Sequence, residues 1–268
     1  MSVADTKSSF VYRVERYDAP VAIVKILKPG GMNELPGMAF LEWRKGSGAV
    51  RLIDRHLHAC LIEDAGDQLL RDYHRQVGDE KATDIVLDVL GKLHSTSPDA
   101  PPAELVPLRQ HFSSLFDKAQ HQADPALAEI LRWAAALADD LLDRQTDIRP
   151  LHGDLHHDNI IGGPRGWLAI DPQGLIGDPA YDVANVFGNP LGGASDILNP
   201  SRIKTLARRF SAQIGCSETK ILRYAAAHAG LSICWSLDDG GSADAQENIA
   251  ERLAFADIVR RILEESEA

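Results

Sequence analysis

Leu151-His152-Gly153-Asp154-Leu155-His156-His157-Asp158-Asn159, followed twelve residues after Asn159 by Asp171, is the stretch on which the reading of this chain turns. With Asp171 it gathers three acidic groups, three histidines and one amide beside the apolar runs Ile160-Ile161 and Trp167-Leu168-Ala169-Ile170. Polarity this dense beside apolar segments marks a site of chemistry. The turn residues Gly162-Gly163-Pro164-Arg165-Gly166 predict a β-hairpin between the two runs. Folding about that turn returns Asp171 to within about one residue of register with Asn159, and facing residues on paired strands lie roughly 5 Å apart. A carboxylate and an amide carbonyl so placed can share a hard cation. Asp154, five residues before Asn159, falls at the apex, where it can take the proton of a hydroxyl or orient that hydroxyl for attack. A carboxylate at the nucleophile, with Asn and Asp on a metal, is the arrangement phosphoryl transfer requires.

Outward from this loop, the chain reads as two parts. Phe10–Arg16 and Val21–Leu27 are rich in β-branched and aromatic residues and predict two strands, joined by the turn Tyr17-Asp18-Ala19-Pro20. Pro29-Gly30-Gly31 ends the second, and a short helix is expected over 33–44. Strands are expected again at 49–53 and 59–63. After Asp64-Ala65-Gly66 the pattern turns helical: 83–94 carries Ile85, Val86, Val89, Leu90 and Leu93 on one face. Helices are expected at 104–120, 125–144, 201–213, 218–237 and 244–265. The expectation is an α+β chain, with a β-rich part over 1–64 and a larger helical part over 65–268.

Composition narrows the function classes. The net charge is −11, which argues against nucleic acid, since phosphate backbones call for clustered Lys and Arg. Residues 1–60 hold nine Lys/Arg against six Asp/Glu, leaving nineteen against thirty-three for the rest. That asymmetry suits an anionic cofactor and a cationic substrate, or is a solvated acidic surface. Three separated cysteines (Cys60, Cys216, Cys234) argue for reduced thiols and a cytoplasmic setting. The N-terminus lacks the pattern of a secretory signal. The uncharged run Tyr224–Leu237 is too short for a bilayer and predicts a buried helix.

The motif His152-Gly153-Asp154-Leu155-His156-His157-Asp158-Asn159, with Gly166-Trp167-Leu168-Ala169-Ile170-Asp171-Pro172-Gln173-Gly174-Leu175-Ile176-Gly177, resembles the aminoglycoside phosphotransferase superfamily. More narrowly it is similar to streptomycin 6-phosphotransferases and hydroxyurea-type resistance kinases. Trp43-Arg44-Lys45-Gly46-Ser47-Gly48-Ala49-Val50-Arg51-Leu52 and Leu231-Ser232-Ile233-Cys234-Trp235 extend the likeness over most of the chain. The resemblance implies a bilobal protein-kinase-like fold, with a nucleotide lobe over 1–64 and a catalytic and substrate lobe over 65–268. It implies transfer of the ATP γ-phosphate, with Mg²⁺, to a hydroxyl of a small cationic aminoglycoside, streptomycin at its 6-hydroxyl before hydroxyurea or another metabolite. Asp154 would be the catalytic aspartate and Asn159 and Asp171 the Mg²⁺ ligands. Lys25 would contact the α- and β-phosphates; a mid-strand lysine among apolar residues independently calls for an anionic partner. Glu34, in preference to Glu42, would pair with it. Main-chain groups of Glu63 and Ala65 would bond adenine, and 4–9 would cover the phosphates. That covering loop contains no glycine, so the hydroxyls of Thr6, Ser8 and Ser9 are expected to substitute. The chain opens almost at this loop, so an opening element of longer relatives is expected to be shortened or missing. A monomer or weak dimer and no membrane partner are expected.

Several residues carry two readings. Trp235, Asp238 and Asp239 could receive guanidinium or ammonium groups at a helix end, or be an exposed turn beside a core tryptophan. Asp178 is a further substrate candidate, or merely the cap of a helix. His152, His156, His157, Asp154 and Asp158 could form a transition-metal cluster in a hydrolase. That alternative leaves Lys25 and Asn159 unexplained.

Overall fold

The β-branched residues at the start of the chain pair as their alternation demands. In the computed structural model, which describes residues 1–267, β1 (Ser2–Asp5), β2 (Ser9–Arg16), β3 (Ala19–Leu27), β4 (Leu52–His56) and β5 (Ala59–Glu63) form an antiparallel sheet in the order β1-β2-β3-β5-β4. Directly opposed residues share a face. Val11, Lys25 and Cys60 therefore make one cross-strand row, and Arg13, Ile23 and Ile62 the next row on that face.

The described chain divides into two compact units. The first is Met1–Val106 with Arg149–Ile176. It contains the sheet, α1 (Leu35–Arg44), β6 (Gln68–Leu69), α2 (Leu70–Val77), α3 (Asp79–Leu93) and the hairpin of β7 (Ile160–Gly163) and β8 (Gly166–Ala169). The hairpin joins this unit because β6 pairs with β7, while Val50 N donates to Ala169 O at 3.0 Å and Ala169 N to Gly48 O at 2.8 Å. Those bonds also explain why the strand expected at 49–53 starts only at Leu52: Gly48–Val50 are spent on β8. The helix expected at 33–44 opens as a 3-10 turn over Pro29–Glu34, and α1 proper follows with Pro36 in its first turn. Lys45, in the left-handed region at φ 50°, ends it. The buried Arg44 guanidinium then donates to Lys92 O (2.6 Å) and Ser95 O (3.0 Å), fastening α1 to the end of α3. The sequence pattern did not single out α2, which buries only Leu70 and His74.

The second unit is Pro107–Ile148 with Gly177 onward. It is built from α4 (Ser113–His121), α5 (Pro125–Asp143), α6 (Pro200–Ile214), α7 (Glu218–Asp238) and α8 (Ala243–Glu267). Side-chain caps set the starts: Asp124 accepts from Ala126 N and Leu127 N, Asn199 from Ser201 N and Arg202 N, Ser217 from Lys220 N. The single helix expected at 104–120 is instead a short turn, Leu108–His111, followed by α4. Pro107 cannot lie inside a helix, which accounts for the late start. As expected, α7 is a buried helix, with Tyr224 and Leu231 fully buried. Among the described residues no helix is long and apolar enough to cross a membrane.

Candidate active site

Lys25 occupies the buried centre of β3 with its ammonium between two carboxylates. Nζ lies 2.6 Å from Glu34 Oε2 and 3.0 Å from Asp171 Oδ1. Burial by itself pulls the lysine pKa down; the charges of Asp171 and Glu34 more than reverse this and hold it above the usual lysine value. Glu34 is thus the partner, as the resemblance implied. Glu42 instead pairs with Arg55 at 2.7 Å. Beside Lys25, burial pushes the Cys60 thiol up to about 11, so Cys60 is an inert wall of the site.

The 152–159 loop is held by its own histidines. The buried His152 donates from Nε2 to Ile170 O at 2.9 Å, and its Nδ1 accepts from Asp154 N at 3.2 Å. Both ring nitrogens are engaged, which fixes the tautomer and removes His152 from any metal cluster. His156 Nδ1 similarly accepts from Asp158 N at 3.2 Å, while Asp158 pairs with Arg71 of α2 at 2.6 Å. The five-residue transition-metal cluster is therefore not assembled. The ring of His157 stacks edge-on against His74, 5.4 Å between centroids.

Asn159 Nδ2 donates to Asp154 O and to Asp154 Oδ2, both at 2.9 Å. This orients the carboxylate and leaves the amide oxygen of Asn159 as the atom suited to a hard cation. The hairpin register sets Ile160 opposite Ala169, and Ile170 N donates to Asn159 O at 2.9 Å, so Asp171 falls one residue beyond Asn159. Asp171 adopts φ 55°, a left-handed conformation that Asp tolerates better than most residues. Its side chain is 46% exposed, with one oxygen on Lys25. The set suits Mg²⁺: oxygen donors only, one of them charged, beside a cation matched to phosphate.

A cavity of about 270 Å³ lies in the same unit. The sheet face supplies Val11, Arg13, Ile23, Lys25 and Ile62, the hairpin Ile161, Ile170 and Asp171, and residues 63–67 close one side. Largely apolar walls, with Lys25 among them to meet phosphate charge, fit a purine with its phosphates. The apolar wall residues Val11, Ile23 and Ile62 escaped the sequence reading, although alternation along β2, β3 and β5 could have named them. At the 63–67 segment the Glu63 carboxylate accepts from Arg51 N at 2.8 Å and pairs with Arg165. Asp64 pairs with Arg13 at 2.7 Å. Gly163 meets this segment so closely that a Cβ there would lie 1.7 Å from Ala65 O.

The covering loop expected over 4–9 forms a hairpin turn. Ala4 pairs with Val11 and Asp5 with Phe10, leaving Thr6–Ser8 as the turn. Thr6 Oγ1 accepts from Ser9 N at 2.9 Å and donates to Ser9 O at 3.1 Å, and Ser9 is buried. Thr6 and Ser9 are used in holding the turn, and Ser8 Oγ lies 3.3 Å from Thr6 Oγ1. Lys28, which sequence reasoning passed over, reaches this turn through Asp5 at 2.5 Å.

The substrate candidates lie in the second unit. Asp178 is fully buried there. It caps the 3-10 helix Pro179–Gly188 through Ala180 N, accepts from Thr146 N at 3.2 Å and pairs with Lys220. Its expected substrate contact is corrected by this burial: the carboxylate is a structural pin. Trp235 is 41% exposed and meets His111 and His228 edge-on at 5.6 and 5.8 Å, so it is not core. Asp238 pairs with Lys118 at 2.7 Å, and Asp239 is an exposed cap residue at the end of α7.

The chain shares its fold with the aminoglycoside phosphotransferase APH(4)-Ia, solved with AMP-PNP and hygromycin B (TM-score 0.65, 13% identity, covering 97% of this chain and 92% of that one). It is a phosphotransferase of the protein-kinase-like class, acting on a hydroxyl group. A family model described as aminoglycoside/hydroxyurea antibiotic resistance kinase matches residues 1–240, and the chain belongs to that family. It is 36% identical to a streptomycin 3''-kinase of Klebsiella pneumoniae, over 88% of this chain and 86% of that protein. It is 28% identical to a streptomycin 6-kinase of Streptomyces griseus, over 95% and 83% respectively.

Proposed function

We propose that this protein transfers the γ-phosphate of ATP to one hydroxyl of streptomycin. The observation that carries the reading is the Glu34–Lys25–Asp171 chain, assembled in one unit with the Asp154–Asn159 pair. Lys25 binds the nucleotide phosphates, with Glu34 holding its ammonium in place. Main-chain groups of Glu63 and Ala65 bond the adenine in the apolar cavity, and Thr6, Ser8 and Ser9 shape the turn over the phosphates. Magnesium, when bound, neutralises charge on the transferring phosphoryl group, and the amide oxygen of Asn159 and the carboxylate of Asp171 would hold it. Asp154, oriented by Asn159, takes the acceptor hydroxyl's proton; general-base catalysis of this kind contributes about 10²- to 10⁴-fold.

Residues 1–64 serve in this reading as the nucleotide lobe and 65–268 as the lobe for catalysis and acceptor. Trp235, Asp238 and Asp239 are the candidates for binding cationic groups of the acceptor, in keeping with the acidic balance after residue 60. Phosphorylation adds a dianion where the drug had a hydroxyl donor and so inactivates it. The enzyme acts in the cytoplasm, where ATP is abundant and the free thiols of Cys60, Cys216 and Cys234 stay reduced.

The motif resemblance favours the 6-hydroxyl as acceptor. The 36% identity to a 3''-kinase, against 28% to a 6-kinase, supports the 3''-hydroxyl as a second reading. Hydroxyurea or another hydroxylated metabolite is the alternative class. ADP release measured across streptomycin, other aminoglycosides and hydroxyurea tests the proposal. The expected result is turnover with streptomycin well above the others; a preference for hydroxyurea would overturn it.

A further inference from the structure

His157, in the 152–159 loop, packs against a histidine of α2. It is buried, as is His74 on α2, and their rings meet edge-on. Asp79, in the first turn of α3, completes the group: His74 Nε2 lies 3.5 Å from Asp79 Oδ1. One ligand atom from each of the three residues lies within 4.8 Å of the other two. In a tetrahedral zinc site with metal–ligand bonds of about 2.0–2.1 Å, the donor atoms stand roughly 3.3 Å apart. No separation here need close by more than about 1.5 Å, within reach of small ring and carboxylate rotations.

We propose that His74, Asp79 and His157 bind a borderline-soft divalent cation of the zinc class, and that this ion clamps the 152–159 loop to α2 and α3. Two imidazoles and one carboxylate match zinc and its neighbours and are a poor match for magnesium, which prefers all-oxygen shells. With three protein ligands, water or another small ligand takes the fourth position. Asp79 is the partly exposed member and marks the side from which the ion enters. The site is separate in chemistry from the Asn159–Asp171 pair. Its consequence is nevertheless local to the same loop, because His157 lies three residues after Asp154 and two before Asn159. An ion here adds a cross-link to the one already made by Arg71 and Asp158. The inference does not depend on which acceptor the enzyme uses.

The test is zinc binding to the full chain in the presence of excess Mg²⁺, followed by equilibrium dialysis with elemental analysis and by thermal denaturation. The expected result is one equivalent of zinc, a raised melting temperature and slower amide hydrogen exchange over 152–159. Asp79→Asn preserves shape at a partly exposed position and should weaken zinc affinity at least tenfold while keeping the native circular dichroism. His74→Gln should abolish binding, and Asp171→Asn should leave it intact. Cobalt should give the strong visible absorption of a four-coordinate centre in the parent protein and lose it in Asp79→Asn. No bound zinc in the parent protein, or binding unchanged by Asp79→Asn or lost in Asp171→Asn, overturns the proposal.

Discussion

Lys25 Nζ stands 3.0 Å from Asp171 Oδ1, although 146 positions of chain separate them. The contact ties the centre of the sheet to the far arm of the hairpin and places a fixed positive charge beside the carboxylate proposed for the metal. Lys25→Met leaves Glu34 largely buried without its cation, a change that typically costs about 3–5 kcal/mol. We expect a lower melting temperature and at least a tenfold weaker ATP affinity, read by calorimetric titration at a temperature where the variant is folded.

The pH dependence of that link follows from its sign. Because the folded pKa of Lys25 is raised, its stabilisation is complete below the unfolded value of about 10.4 and fades only as pH climbs through the higher folded value. The stability difference between parent and Lys25→Met, measured by denaturant titration, should be flat from about pH 6 to about pH 9 and shrink only at stronger alkalinity. A difference that falls across neutral pH would show that another group governs it.

Glu34 and Glu42, eight positions apart, offer a matched comparison. Glu34 holds the buried lysine, whereas Glu42 makes an exposed pair with Arg55. Glu42→Gln should change stability by less than about 1 kcal/mol, the usual range for a surface pair. Glu34→Gln should raise the KM for ATP severalfold. Steady-state kinetics of the two variants side by side check this, and equal effects would contradict the assigned pairing.

Much of this site can be read from the sequence because the hairpin turn fixes a register, and register fixes who faces whom. Asp171 returns near Asn159 for that reason alone. The pairing of Lys25 with Glu34 was less direct, since periodicity does not reveal a 3-10 turn before α1. The substrate assignment of Asp178 failed because an Asp before Pro179-Ala180 serves equally as a helix cap, and only burial separates the two uses. The cavity walls are ordinary Val and Ile residues, distinguished by the face they share. The buried His74–His157 contact joins residues 83 positions apart, with no turn or spacing to announce it.

Gly37 tests how tightly α1 is held to the segment after Asp171. A Cβ at Gly37 would stand 1.9 Å from Pro172 O, so the backbone must move to admit it. Gly37→Ala should destabilise the protein by about 1–3 kcal/mol, the range for overpacking, and lower turnover by displacing Asp171. Thermal denaturation together with kcat checks both effects.

Asp178 should behave as a structural residue. Asp178→Ala strands Lys220 and uncaps the Pro179–Gly188 helix, with an expected cost of about 3–5 kcal/mol. Below its melting temperature the folded fraction should retain the parent KM for streptomycin. A large rise in KM with unchanged stability would return Asp178 to the acceptor site.

The most direct test of the whole account is product analysis of a reaction containing ATP, Mg²⁺ and streptomycin, by mass spectrometry and phosphorus NMR, run with the parent enzyme and with Asp154→Asn. A single streptomycin phosphate on one hydroxyl is expected, matching ADP mole for mole. The variant should still bind ATP, with turnover lower by about 10²- to 10⁴-fold. Streptomycin recovered unmodified by the parent enzyme, or phosphorylated as fast by Asp154→Asn, would contradict it.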